Sequence, residues 1–205
     1  MPVQVQPEHY DFDKYVSVSR WDSYYHQLKL IREIKPNKVL EIGTGKNILK
    51  KLLKNEIEYY SFDIDRALKP DVVGNIYDAP FREELFDAVL CFQVLEHFPY
   101  DDFPLLLERL SRLSKKRVLL GLPYANHEFS LKITAPLFGS KNIRVLIPKF
   151  YRKHKFDGQH YWEIGKKEYP MKRILSDISK LFYVEKHFVP FEFSYHAFFV
   201  LRKRK

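Results

Sequence analysis

The run Val39-Leu40-Glu41-Ile42-Gly43-Thr44-Gly45-Lys46-Asn47, answered by Phe62-Asp63-Ile64-Asp65, constrains this chain more than any other feature. An apolar strand that breaks into two glycines before a helix lets backbone approach a ligand where a Cβ would obstruct it. The acid ending the next strand, Asp63, stands where a carboxylate accepts hydrogen bonds from both hydroxyls of a ribose, at the switch point of an open α/β sheet. Together these segments describe a nucleoside-binding crevice. Glu41, directly before the turn and inside an apolar strand, is the candidate for orienting the loop amides. Asp65 reads as a helix cap.

The third position of the glycine pattern separates two ligand classes. Dinucleotide enzymes use G-x-G-x-x-G so that a helix can sit under a pyrophosphate, and here that position is Ile48. A β-branched residue there favours a ligand without a pyrophosphate, such as S-adenosylmethionine, and makes a nicotinamide dehydrogenase a distant alternative. The pattern resembles motif I of the class I methyltransferases, which read acid-x-Gly-x-Gly-x-Gly. Asn47 departs from it at the last glycine, a mild change because Asn tolerates left-handed backbone.

A chain of 205 residues with 45% hydrophobic content is expected to form one domain, residues 1–205. Its expected parts are a helical lead-in at 1–36, a cofactor-binding core at 37–123, a substrate-side insertion at 124–168, and a closing helix with edge strands at 169–205. Met1 to Tyr15 is polar, and no apolar run approaches the roughly 18 residues that cross a bilayer, so a cytoplasmic protein is expected. One cysteine excludes a disulfide framework, no Cys/His spacing suggests zinc, and no metal is expected. Cys91, inside an apolar run, reads as core.

The net charge of +9 is local. Phe129 to Lys155 carries seven cations and no acid, and the tail adds Arg202, Lys203, Arg204 and Lys205. Without these eleven, the remaining cations fall just short of the 26 acids, so attraction to anions is concentrated in one internal segment and one tail.

Trp21, Tyr24, Tyr25, Leu28, Ile31 and Ile34 recur at helical spacing over 17–35. Strand and helix patterns then alternate: strand 38–42, helix 46–54, strand 58–63, a short strand near 71–74, strand 86–92, helix 101–114 and strand 116–122. This predicts a Rossmann-like, doubly wound, mostly parallel seven-stranded sheet with a basic and aromatic insertion after the fifth strand. A helix at 169–181 and strands at 182–189 and 195–202 close the chain, the strands as an antiparallel pair at the sheet edge.

The resemblance to class I methyltransferases, and to their type 11 subgroup, extends over about 37–123. Asp71 to Phe81 looks like the segment enclosing adenine, and Phe86-Asp87-Ala88-Val89-Leu90-Cys91-Phe92-Gln93-Val94-Leu95-Glu96-His97 is similar to a subgroup motif. The resemblance implies S-adenosyl-L-methionine as cofactor, with Glu41, Gly43, Thr44, Gly45, Asp63, Ile64, Asn75, Ile76 and Gln93 around it. Asn75 replaces a common acid, and its amide oxygen can accept from the adenine amino group, with Asp78 as second candidate. Gln93 falls where the family places a polar residue against the methionine part of the cofactor. Phe81, Phe92 and Leu95 read as core.

Methyl transfer from a sulfonium needs positioning and dry surroundings more than activation of the leaving group. A hydroxyl acceptor would also benefit from a base. Asp157-Gly158-Gln159-His160-Tyr161-Trp162-Glu163-Ile164-Gly165 is the candidate acceptor side, and its His160-to-Gly165 part is similar to a string in the type 11 subgroup. His160 and Glu163 are the candidate catalytic pair: on a helical turn they would share a face, the carboxylate orienting the imidazole. Equally open is an aromatic plug, with Trp162 filling the core and His160 bonded to backbone. Tyr124, His127, Tyr195 and His196 are weaker candidates, and at least one of the last two is a packing residue.

The basic stretch 129–155 interleaves apolar residues including Leu131, Leu137, Phe138 and Phe150 with its cations. It reads as a lid for an anionic substrate, an amphipathic contact with anionic membrane, or a solvated face. The expected function is S-adenosylmethionine-dependent methylation at O or N of a small or cell-envelope-related, anionic acceptor, free or sugar- or lipid-linked. The alternatives are an RNA methyltransferase and a non-catalytic cofactor-binding scaffold protein.

Overall fold

A computed structural model describes residues 17–135 and 139–204. The lead Met1 to Tyr15, the apolar residues Leu137 and Phe138, and Lys205 lie outside the described residues. Helix α1 spans Val18–Ile34; Ser17 Oγ caps its first turn by accepting from Arg20 N at 3.2 Å, and Lys35 in left-handed backbone ends it. Strand β1 (Lys38–Ile42), helix α2 (Ile48–Leu53), strand β2 (Glu58–Asp63), the two-residue strand β3 (Val72–Val73), strand β4 (Phe86–Phe92), helix α3 (Phe103–Leu113) and strand β5 (Ser114–Pro123) follow in alternation. After β5 come the hairpin strands β6 (Asn126–Ala135) and β7 (Gly139–Pro148), helix α4 (Met171–Ser179), strand β8 (Phe182–Phe188) and strand β9 (His196–Lys203).

Seven strands form one sheet in the order β3-β2-β1-β4-β5-β9-β8, parallel from β3 to β5. Strand β9 lies between β5 and β8 and runs antiparallel to both, so the closing pair completes the sheet edge as expected. The central strands are apolar on both faces because helices cover both. One face packs under α1 and α2 through Leu30, Leu49, Leu53 and Phe198; the other packs under α3 and α4 and includes Trp162. The strand order reverses at β1, which pairs with β2 on one side and β4 on the other. That reversal opens a crevice above the carboxyl ends of β1 and β4.

Two elements differ from expectation. Trp21 and Tyr25 are exposed, at 47% and 59%, whereas α1 buries Ser23, Gln27, Leu30 and Ile31. The helix turns a polar stripe inward because it lies beside the crevice, where Ser23 and Gln27 find hydrogen-bond partners. The basic segment after β5 folds as the β6–β7 hairpin, a separate two-stranded sheet. Pairing of Phe129 with Val145 and of Leu131 with Ile143 places these four exposed apolar residues on one face.

Candidate active site

The glycine turn works through local geometry. Gly43 has φ +76°, and a Cβ there would lie 2.2 Å from Val94 Cγ2; Gly45 has φ +50°. Asn47, also left-handed at φ 57°, delays α2 until Ile48, which is why the helix starts two residues later than its pattern suggests.

Asp63 ends β2 facing this turn. One carboxylate oxygen accepts from Thr44 N and the other from Asp65 N, both at 2.9 Å. Burial raises its pKa while the amides of Asp65, Thr44 and Gly45 oppose the rise. The acid that orients the turn is therefore Asp63, and the expectation that Glu41 orients the loop amides is corrected. Glu41 is 5% exposed, and its Oε2 has no hydrogen-bond partner among the described residues. Burial pushes its carboxyl up to about 8, with Tyr59 opposing.

Glu41, Gly43, Thr44, Gly45 and Gln93 line one crevice, joined by Arg20, Ser23 and Gln27 of α1 and by His196. Asp63, Ile64, Asn75 and Ile76 are not part of that lining: Ile64 is 37% exposed beside Asp63, and Asn75 caps a 3₁₀ turn by accepting from Tyr77 N at 3.1 Å. Ile76 is buried beneath. Asp65 caps its own 3₁₀ turn through Ala67 N, as read from the sequence.

Gln93 carries the link to the acceptor side. It sits at the end of β4 with φ 58°, and its N–H donates to Gly121 O at 2.9 Å. The hydrogen-bond network orients its amide so that the oxygen accepts from Leu122 N at 3.1 Å and the nitrogen donates to Glu96 Oε1 at 3.2 Å. Glu96 is fully buried, its Oε2 has no hydrogen-bond partner among the described residues, and burial pushes its carboxyl up to about 7.

The His160 and Glu163 pair forms, although not on a helical turn. Residues 157–163 are irregular: Asp157 Oδ1 accepts from the N–H groups of Gln159 and His160, and Ile164 makes a parallel bridge to Tyr124. Within that shape His160 Nδ1 lies 3.3 Å from Glu163 Oε1. Tyr195 donates its hydroxyl to the same carboxylate, and Lys166 Nζ lies 3.5 Å from its other oxygen. Burial works against ionisation of Glu163, but His160, Tyr195 and Lys166 hold it at about 2. Burial likewise lowers the pKa of His160, and the Glu163 hydrogen bond with the charges of Glu96 and Asp157 reverses this to a net rise.

Trp162 fills the core as the plug reading holds, fully buried and donating Nε1–H to Phe98 O at 3.1 Å. His160 is not part of that plug, because its ring meets a carboxylate rather than backbone. Of the weaker candidates, Tyr195 joins the cluster. His196 is a packing residue: it is buried against Ser23 Oγ at 2.8 Å, and burial pushes its pKa down to about 3. Tyr124 is buried, and His127 stands on the hairpin against Tyr151.

Sequence reasoning did not single out a second pocket, lined by Arg152, Lys153, His154, Lys155, Asp157, Lys166 and Glu163. Its signal was present in the acid-free run, whose last four members curl back to the acceptor segment: Lys167 N donates to Arg152 O, and the His154 ring meets His160 O at 2.9 Å.

A family model described as a methyltransferase domain matches residues 12–164. No curated protein matches the chain. Among solved structures, the PH0226 protein from Pyrococcus horikoshii OT3 is 13% identical with a TM-score of 0.62, over 94% of each chain. Magnesium protoporphyrin IX methyltransferase from Synechocystis PCC 6803, solved with bound SAH, is 13% identical with a TM-score of 0.60, over 91% of this chain and 84% of that one. The small RNA methyltransferase HEN1 is 17% identical with a TM-score of 0.60, over 91% of this chain and 25% of that one. Acceptors as different as a porphyrin and a small RNA share this fold, so the likeness carries architecture and not acceptor. With a strand order reversing at β1, an acid-braced glycine turn at that reversal and a family match over most of its length, the chain belongs to the methyltransferase domain family and has the fold of the class I S-adenosylmethionine-dependent enzymes.

Proposed function

We propose that this enzyme transfers the methyl group of S-adenosyl-L-methionine to an oxygen or nitrogen atom of a small anionic acceptor. The carrying observation is the basic pocket of Arg152, Lys153, Lys155 and Lys166, which shares Glu163 with the His160 cluster. An anionic group held there would sit beside the polar centre that adjoins the cofactor crevice through Gln93 and Glu96.

In this reading adenosine lies across the crevice. Asp63 meets the ribose, Asn75 and Ile76 with Ile64 enclose adenine, and Gln93 with Gly43, Thr44, Gly45 and Glu41 surrounds the methionine part. The accepting atom attacks the methyl carbon in line with sulfur; the S–CH₃ bond breaks, and its electron pair stays on sulfur as a thioether. His160, its Nδ1 committed to Glu163, offers the lone pair of its other nitrogen to the acceptor side, and Tyr195 fixes the carboxylate.

The hairpin's exposed apolar face, which includes Lys141 opposite Ile133, is compatible with a lipid-linked acceptor at a membrane surface. No helix among the described residues is long and apolar enough to cross a membrane. The test is a release assay for S-adenosylhomocysteine over paired acceptors with and without a phosphate or carboxylate. Turnover confined to the anionic members, lost in Arg152→Ala/Lys155→Ala, supports the reading. Equal turnover of neutral partners, or a requirement for RNA, refutes it.

A further inference from the structure

Glu96, His97 and His160 converge between the cofactor crevice and the basic pocket, each offering a ligand atom, with all three atoms within 4.8 Å of one another. Three features set this group apart from an ordinary polar cluster.

The first is Glu96 itself. It is fully buried, one oxygen receives the Gln93 amide, and the other has no hydrogen-bond partner among the described residues. A buried carboxylate oxygen without a donor is costly, so a positive partner for it is physically motivated. The second is how the imidazoles are held. His97 Nδ1 lies 3.0 Å from Gln159 O, a pure acceptor, and His160 Nδ1 lies 3.3 Å from Glu163 Oε1. Each ring thus carries its proton on Nδ1, which places a lone pair on Nε2 in the neutral form. A histidine braced through its far nitrogen by a carbonyl or carboxylate is the usual outer-shell arrangement of a metal-ligating imidazole.

The third is the contrast with the neighbouring trio of Asp157, His160 and Glu163, which also lies close together. Both of those acids are already satisfied. Asp157 accepts two backbone N–H groups, while Glu163 is engaged by Tyr195, His160 and Lys166. Glu163 is better placed to brace His160 than to share a cation with it.

We propose that Glu96, His97 and His160 bind a divalent first-row transition cation, and that this cation holds an acceptor hydroxyl beside the methyl group. Donor atoms around one such ion, bonded at about 2.1 Å, sit roughly 3.4 Å apart, so side-chain rotations of an ångström or so close the set. Two imidazoles and one carboxylate favour the Mn²⁺ to Zn²⁺ series over Ca²⁺ or Mg²⁺ and leave positions open for a substrate oxygen. The bound hydroxyl gives its proton to solvent water, the resulting alkoxide forms the O–CH₃ bond, and the S–CH₃ electron pair leaves with sulfur. This deepens the proposed function by choosing oxygen as the accepting atom and by giving the second nitrogen of His160 to the cation rather than to the acceptor, and it rests on that reading for the methyl donor.

The test is a titration of chelator-treated full-length protein with Co²⁺, followed by visible d–d absorption, with S-adenosylhomocysteine binding measured calorimetrically on the same samples. One Co²⁺ per chain is expected, with affinity at least about tenfold weaker in Glu96→Gln and in His97→Ala and unchanged in His127→Ala on the hairpin. Retained S-adenosylhomocysteine binding in Glu96→Gln certifies its fold. No Co²⁺ band in wild-type protein that binds S-adenosylhomocysteine, or equal Co²⁺ affinity in the variants, overturns the cation site. Failure of wild-type protein to bind S-adenosylhomocysteine overturns the methyltransferase reading instead.

Discussion

Replacing Glu41 by Gln should make the apo protein more stable, and more so the higher the pH. The carboxyl is buried under the crevice with one oxygen unpartnered, and burial pushes it from 4.5 up to about 8. A folded-state pKa above the unfolded value means that the folded chain holds the proton more tightly. The stability gained is complete below the unfolded pKa and is lost as pH rises through the folded one. Each pH unit inside that window costs about 1.4 kcal/mol, so roughly 3 kcal/mol is gone by neutrality and about 5 kcal/mol at the upper end. Because the whole stability of a domain is about 5–15 kcal/mol, this one group would dominate the alkaline limb. Glutamine keeps the shape, carries no titrating proton and removes the slope. Urea unfolding of both proteins at about pH 5, 7 and 9 gives the comparison, with the two curves expected to converge at the acid end. Parallel pH profiles for wild type and Glu41→Gln would show that Glu41 ionises freely, and the reasoning from its burial would fail.

Three other substitutions probe separate parts of the site. Asp63→Ala should weaken S-adenosylhomocysteine binding by roughly 1–3 kcal/mol, because a charged acceptor for the ribose and the brace on Thr44 N disappear together; undiminished calorimetric affinity would remove Asp63 from the site. Gly43→Ala meets Val94 at 2.2 Å in a left-handed conformation, so a loss of about 1–3 kcal/mol in unfolding stability and a collapsed crevice are expected, and a variant as stable as wild type would contradict the geometry. His160→Ala should keep S-adenosylhomocysteine affinity while turnover falls by about 10²-fold or more, whereas equal loss of folding and turnover would make it a packing residue.

The regular part of the fold was legible because its strands are buried on both faces. Strands 38–42, 58–63 and 86–92 appear where the apolar runs place them, since helices cover both sides and leave no polar alternation to misread. The hairpin was not legible as strands. Its polar and apolar residues are nearly all exposed, so alternation there reports no core, and only cross-strand pairing from Asn126–Pro148 through Ala135–Gly139 defines it. The inward face of α1 was obscured for a related reason. Ser23 is held by His196 across 173 residues of chain, a contact that no helical period encodes, and Gln27 donates to Ser23 behind it.

The site divides along the same line. Its cofactor half depends on short-range geometry, two glycines and an acid one strand away, and the sequence carries such geometry directly. Even there the brace on the turn amides falls to Asp63 rather than Glu41, because Asp63 ends its strand level with the turn and accepts from Thr44 N. The proposed acceptor half is assembled from three distant segments: Glu96 and His97 after β4, His160 and Glu163 in an irregular loop, and Tyr195 just before β9. What brings them together is the antiparallel placement of β9 beside β5, which delivers Tyr195 over the loop that Tyr124 and Ile164 pin to the end of β5. If that bridge organises the centre, Tyr195→Phe should leave S-adenosylhomocysteine affinity intact and yet loosen Glu163 from His160. A change in His160 ring resonances by NMR would report that loosening, and unchanged resonances would mean that Glu163 is held without it.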